Sequence, residues 1–203
     1  MSWPEDHMLD VVDYSTDVDV AKAGVRALLR MAGRDPDAEM GISDTPDRVI
    51  RAWLEQTASP GDPSELLAVQ FTDAPHYDGL IAVGPVGFAS VCEHHLLPFT
   101  GQAWVGYLPN GRGVVGLSKL ARLVEHYARQ PQIQERMTAQ ITEALVQHLE
   151  PLGAACVVRA SHTCMTLRGI RKEGAYMTTS SMKGALYDSG AARAEFMNLV
   201  ELS

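Results

Sequence analysis

The apolar positions divide the chain into a helical beginning, a strand-rich middle and a mixed end. From Asp17, the residues Val18, Ala21, Val25, Leu28 and Leu29 recur at helical spacing. Asp17 and Asp19 stand at the end of that helix where its dipole favours negative charge. Gly24 interrupts the stripe, and the pattern stops near Gly33. Asp44-Thr45-Pro46 reads as a second helix start, a capping side chain followed by proline where a missing N–H costs nothing. Val49, Ile50, Trp53 and Leu54 continue it, and Ser59-Pro60-Gly61-Asp62-Pro63 breaks the chain.

Strands follow. Leu80 to Val91 is rich in Ile, Val, Phe and Gly. Phe99, Gly101, Ala103, Val105 and Tyr107 then alternate with Thr100, Gln102, Trp104 and Gly106, a period of two. Pro109-Asn110-Gly111 is a turn. The next stretch predicts two helices. Ser118 is expected to cap the first, with Leu120, Leu123, Val124 and Tyr127 on its buried side. Pro131 is expected to open the second, with Ile133, Met137, Ile141 and Leu145 four apart and Gly153 closing it. A strand from Ala154 puts Cys156, Val158, Ala160, His162 and Cys164 on one face if the pairing stays regular. A last strand runs from about Tyr176 to Leu186, and a short helix passes from Ser189 through Phe196 and Val200. The expected order is αα, then ββααββ, then α, which makes the fold class α+β. Residues 1–16 are polar and are expected to be loosely ordered. Residues 17–75 form a helical region and 76–203 the main body, within one domain overall.

Composition narrows the class. A chain of 203 residues can bury a sizeable core, and 46% hydrophobic with 21% charged residues is ordinary for a globular protein. No apolar run is long enough to span a bilayer, so no membrane partner is expected. The first residues lack the basic start and apolar core of a signal peptide. Three cysteines do not suggest a disulfide framework, and the expected location is cytoplasmic. A net charge of −8 without a basic block argues against nucleic acid as partner. An anionic ligand must therefore be held by a few placed cations.

The candidate chemistry is concentrated in Cys92-Glu93-His94-His95 and His162-Thr163-Cys164. Together these hold two of the three cysteines and three of the seven histidines. Cys92 and His95 stand in C-x-x-H spacing, which lets one tight turn aim both at an ion, while His94 between them cannot easily share that direction. Alone, such a pair is as readily a buried thiol beside an exposed imidazole. Cys164 would complete a Cys₂His set and leave the fourth position of Zn²⁺ to water, the pattern of a catalytic site. A zinc module that only staples subunits would close all four positions. Cys156, among Val and Ala, reads as a core thiol. Lys119 and Arg122 share a face near a helix N-terminus, which suits an anion but also suits a solvated basic patch. Arg168-Gly169-Ile170-Arg171-Lys172 adds positive charge just after Cys164. Gln134 and Glu135 read either as solvated helix surface or as an amide and carboxylate that clamp a guanine edge.

Four ordered blocks carry a resemblance: Cys-Glu-His-His-Leu-Leu-Pro-Phe, Val-Gly-Leu-Ser-Lys-Leu-Ala-Arg, Gln-Ile-Gln-Glu-Arg-Met-Thr and Ser-His-Thr-Cys-Met-Thr-Leu-Arg-Gly-Ile. From about Asp17 to the end, and most closely from Ser90 to Arg171, the chain resembles GTP cyclohydrolase I. Thr45-Pro46-Asp47-Arg48-Val49 matches the family's early helix. The resemblance implies a tunnelling fold (T-fold) with an antiparallel ββααββ core. It also implies a homodecamer of two pentamers with sites between subunits, and conversion of GTP and water to formate and 7,8-dihydroneopterin triphosphate, at the start of pterin and folate synthesis. It assigns Cys92, His95 and Cys164 to zinc, which would activate water for attack at guanine C8. It makes His162 the proton donor to N7, and gives His94 and Ser118 proton transfers in the later steps. Lys119, Arg122 and Arg168 would hold the triphosphate, Gln134 and Glu135 the guanine, and Glu93 a supporting part. Tyr176 and Met177 depart from the family pattern between Gly174 and Gly184, where the strand or pocket wall would differ. A related T-fold enzyme acting on another purine or pterin is the nearest rival. A nitrile reductase of the same superfamily would need a nicotinamide, and no Gly-rich dinucleotide motif is present.

Overall fold

The structure is a computed structural model that describes residues 15–59, 61–71 and 77–202. The loose order expected for residues 1–16 falls outside the described residues up to residue 14, whereas Ser15 and Thr16 are already helical. Compactness divides the chain into two units between Ala58 and Ser59.

The first unit holds α1 (Ser15–Met31), a short 3-10 turn (Met40–Ile42) and α2 (Thr45–Thr57). The stripe that predicts α1 is present, yet none of its residues is buried. Ion pairs lie along its surface. Lys22 meets Asp47 at 2.7 Å, and Asp37 receives both Arg26 and Arg30. Asp44 stands at the start of α2 but does not cap it. Its backbone (φ −90°, ψ 2°) is not extended, and its carboxylate turns to Arg48 at 3.3 Å.

The second unit opens with α3 (Pro63–Ala68), a helix the periodicity did not reveal because it is barely two turns long. Asp62 caps it, accepting from Ser64 N at 2.7 Å. There follow β1 (Gln70–Phe71), β2 (Ile81–Cys92), β3 (Pro98–Leu108), β4 (Val114–Val115), α4 (Leu117–Ala128), β5 (Pro131–Gln132) and α5 (Gln134–Leu149). The chain ends with β6 (Gly153–His162), α6 (Thr163–Thr166), β7 (Met177–Gly184), α7 (Ala185–Asp188) and α8 (Gly190–Leu202). The main sheet has the order β5-β2-β3-β6-β7, antiparallel except where β5 runs parallel to β2.

Alternation along the strands sorts side chains onto two faces. Ala103, Val105 and Tyr107 of β3 and Ala154, Cys156 and Val158 of β6 face a core shared with Leu67 of α3 and with Leu120, Leu123, Met137, Ile141 and Leu145 of α4 and α5. Truncating a fully buried leucine such as Leu123 would cost about 2–5 kcal/mol. On the opposite face Ala155 and Val157 pack with Leu186 and Phe196. There a Cβ on Gly106 would stand 2.7 Å from the Phe196 ring, so only glycine lets α8 lie down.

Four local expectations are corrected. Gly116, not Ser118, occupies the cap position of α4, and Ser118 lies within the first turn. Pro131 belongs to β5, and α5 begins three residues later. Gly153 starts β6, while Glu150, at φ 46°, closes α5. The strand that was to carry both His162 and Cys164 ends at His162, and Cys164 sits in the helical turn of α6.

Candidate active site

The first two metal-ligating candidates are aimed by a tight turn between β2 and β3. The carbonyl of Cys92 accepts from His95 N at 3.3 Å and from Leu96 N at 2.8 Å, and Cys92 N donates to Leu97 O at 2.8 Å. Leu96 takes the left-handed conformation, φ 53°, that closes this turn, a strained choice for a leucine. The result brings Cys92 Sγ within 3.7 Å of His95 Nδ1. Two ligands of one tetrahedral zinc would be separated by about 3.6 Å.

Cys164 arrives from the other side of β3. Its thiol, Cys92 Sγ and an imidazole nitrogen of His95 all lie within 4.8 Å of one another. Among the described residues no fourth cysteine, histidine or carboxylate joins them. Burial, and then the charge of the neighbouring Cys92 sulfur, push the Cys164 thiol above its ordinary value. A cation between the sulfurs would remove the second of these penalties, and a thiol pair with imidazole is the donor set that zinc prefers. The residues therefore fit a metal. Arg168, exposed after α6, reaches back to place Nη1 at 3.2 Å from His95 Nε2.

His162 ends β6 beside this cluster, opposite Phe99 in the sheet register, with the two rings stacked. Burial lowers its pKa, against an opposing pull from the Glu135 carboxylate, so the neutral ring is favoured. Its Nε2 lies 2.8 Å from Gln134 Oε1. Gln134 is 1% exposed, and its amide nitrogen donates to Val158 O, Met177 O and Thr179 Oγ1, each at 3.1 Å. Both ends of the amide that was expected to read a guanine edge are thus engaged inside the protein. Glu135, the next residue, is exposed.

Glu93 is tied down as well. Arg136 forms an ion pair with it and also donates to Gln132 Oε1 at 3.0 Å. The hydrogen bond from Arg136 holds the Glu93 carboxyl below the usual range. His94 is exposed, with Nε2 3.9 Å from the Glu93 carboxylate. The sequence did not single out Phe99, Gln132 or Arg136 as site residues. Arg136 stands close after Gln132 in the chain, but nothing in a linear pattern pairs it with Glu93. Ser118 and Arg122 are exposed and Lys119 half-buried in the first turns of α4. The described contacts do not join these three to the metal-site side chains.

An α+β scaffold that gathers two thiols and an imidazole, with a half-buried histidine alongside, has the donor set of a metal-assisted hydrolytic enzyme. The GTP cyclohydrolase I family model matches residues 21–201. GTP cyclohydrolase 1 of Thermobifida fusca is 47% identical over 196 residues, covering 91% of this chain and 93% of that protein. GTP cyclohydrolase 1 of Mycolicibacterium vanbaalenii is 45% identical over 202 residues and covers 98% of both chains. A solved structure of the archaeosine synthase QueF-Like in the apo form superposes more loosely, with a TM-score of 0.44 and 16% identity over 55% of this chain and 96% of that one. The chain belongs to the GTP cyclohydrolase I family and is an enzyme of that activity, with GTP as its substrate. Among the described residues no helix is long and apolar enough to cross a membrane.

Proposed function

We propose that the protein is a zinc enzyme that converts GTP and water to formate and 7,8-dihydroneopterin triphosphate. The observation that carries this reading is the three-donor cluster of Cys92, His95 and Cys164, which leaves a coordination position for a reactant. Zinc held there would supply the Lewis acidity that makes water nucleophilic at neutral pH.

The chain's own residues divide the remaining work. His162, beside the cluster, gives a proton to guanine N7 as the imidazole ring opens, and hydrolysis of both the C8–N9 and C8–N7 bonds frees C8; an imidazole can take up and give back a proton in this way. C8 leaves as formate. His94, exposed next to His95, serves proton transfer on the ribose side and in formate release. Ser118 relays a proton in the ribose rearrangement that precedes closure of the pyrazine ring. Lys119, Arg122 and Arg168 hold the triphosphate, which the net charge of −8 would otherwise repel. Glu135 accepts from the guanine N–H groups. Glu93 fixes the ligand turn through Arg136.

The described contacts leave Ser118, Lys119 and Arg122 apart from the metal cluster. This agrees with sites completed between subunits, in a tunnelling-fold assembly of two five-membered rings. The product would enter pterin or folate synthesis in the cytoplasm. Zinc-loaded protein incubated with GTP should release formate and a dihydropterin triphosphate, identified by mass. Protein with both zinc and GTP bound that yields no formate would overturn the reading.

A further inference from the structure

We infer that Gln134 is a positioning residue that keeps a proton on Nε2 of His162, so that Nδ1 is the nitrogen that exchanges protons with substrate. The inference rests on the reading of His162 as the proton donor given above, and goes beyond it by naming the ring atom and the group that selects it.

An amide can be turned end for end, and a histidine can carry its proton on either nitrogen, so both choices need a physical reason. For Gln134 the reason is its acceptors. Val158 O and Met177 O are backbone carbonyls that can only accept, and both lie 3.1 Å from one end of the amide. That end must be the NH₂. The reversed amide would press its oxygen against two carbonyl oxygens in a site 1% exposed, where no water could relieve the repulsion. The hydroxyls agree. Thr138 Oγ1 donates to Gln134 O at 2.7 Å and so can accept from Thr179, 2.7 Å away. Thr179 Oγ1 is then free to accept from the Gln134 NH₂ at 3.1 Å.

With the nitrogen assigned, the other end of the amide is the oxygen, 2.8 Å from His162 Nε2. An amide oxygen only accepts, so Nε2 must carry hydrogen. The neutral ring then has its lone pair on Nδ1, which has no hydrogen-bond partner among the described residues, so Nδ1 takes up the proton released by the attacking water and then passes it to the substrate. Phe99 stacks on the ring and opposes its rotation. The carbonyls that orient the amide come from β6 and β7, so the sheet itself selects the tautomer.

The test is ¹⁵N NMR of the zinc-loaded protein labelled at histidine, with the His162 signals assigned by loss in His162→Ala. The expected result is a proton-bearing Nε2 and a bare Nδ1. A proton on Nδ1 with Nε2 bare would overturn the inference, and this needs no folded variant of Gln134. Gln134→Asn keeps the amide but shortens its reach. It should mix the tautomers and lower kcat for formate release by about a hundredfold or more, with KM and bound zinc unchanged. Equal loss through KM alone, or an unchanged kcat, would also overturn it. Wild-type protein that showed the expected tautomer but released no formate would defeat the proposed function and leave the tautomer assignment standing.

Discussion

The imidazole of His162 lies flat on the ring of Phe99, with 4.4 Å between centroids and 6° between planes. The two residues are direct partners in the β3–β6 ladder, so the stack is a cross-strand pair that has been given a chemical partner. Phe99 is 1% exposed and packs with Cys92 and Ala160. Phe99→Leu should keep the zinc content but loosen the ring, lowering kcat about tenfold. Phe99→Ala should lose about 3–5 kcal/mol in urea unfolding. An unchanged kcat in Phe99→Leu would show that the stack has no part in positioning.

Metal binding and proton transfer should separate cleanly by mutation. Cys164→Ser is expected to lose most of its zinc, measured by elemental analysis after dialysis. His162→Ala should retain zinc and bind GTP while formate release falls by about 10²–10⁴-fold. Zinc loss in the histidine variant would mean that His162 is a ligand.

Zinc uptake should depend on pH with a definite sign. Burial and the Cys92 charge raise the Cys164 pKa, so the metal-free protein holds that proton further into the alkaline range than an ordinary thiol does. The metal must expel the proton to bind. Apparent zinc affinity should therefore climb between about pH 6 and 8 and keep climbing beyond the point where a free thiol would level off. Competition with a chromophoric chelator measures this, and a flat profile would contradict it.

Glu93 and Arg136 fasten the ligand turn to the first turn of α5. The Arg136 and Glu93 side chains are 40% and 33% exposed, so their loss should barely move the unfolding midpoint. The effect is expected on the site. Glu93→Gln and Arg136→Met should each weaken zinc binding about tenfold, and the double variant should lose no more than either single one. Additive losses would show that the two act separately.

The three thiols should differ in reactivity. Cys156 is wholly buried, and burial drives its pKa far above the thiol range. Alkylation of the native zinc-free protein should therefore mark Cys164 and Cys92 and spare Cys156, and zinc should protect the first two. Peptide mass mapping reads the outcome. Early labelling of Cys156 would mean that the sheet opens more readily than its packing suggests.

Much of the site could be read from the chain because its chemistry is local. Cys92 and His95 share one turn, and their spacing is visible without any knowledge of the sheet. The period of two in β3 is equally plain, since Phe99, Ala103, Val105 and Tyr107 are buried on one face while Thr100 and Gln102 on the other are exposed. What escaped was set by distant partners. The acceptors of the Gln134 amide are 24, 43 and 45 residues away, on strands whose pairing no local pattern announces. Cys164 was placed on the strand face by counting in twos, but β6 has its last partner at His162 and the chain then turns helical. Alternation cannot show where pairing stops. Ser118 is the best capping side chain in its stretch, yet the backbone turns two residues earlier, at Gly116.

The two-residue strand β5 runs alongside the end of β2, setting Val91 against Pro131 and Cys92 against Gln132, and Glu93 N donates to Gln132 O at 3.0 Å. Proline cannot donate, so that short ladder leans on few bonds, yet it is spliced directly between α4 and α5. Cys92 and the segment leading into Gln134 are in this way mounted on a common bracket. A shift of either helix is thereby passed to the Cys92 turn and to the support of His162 at a single place.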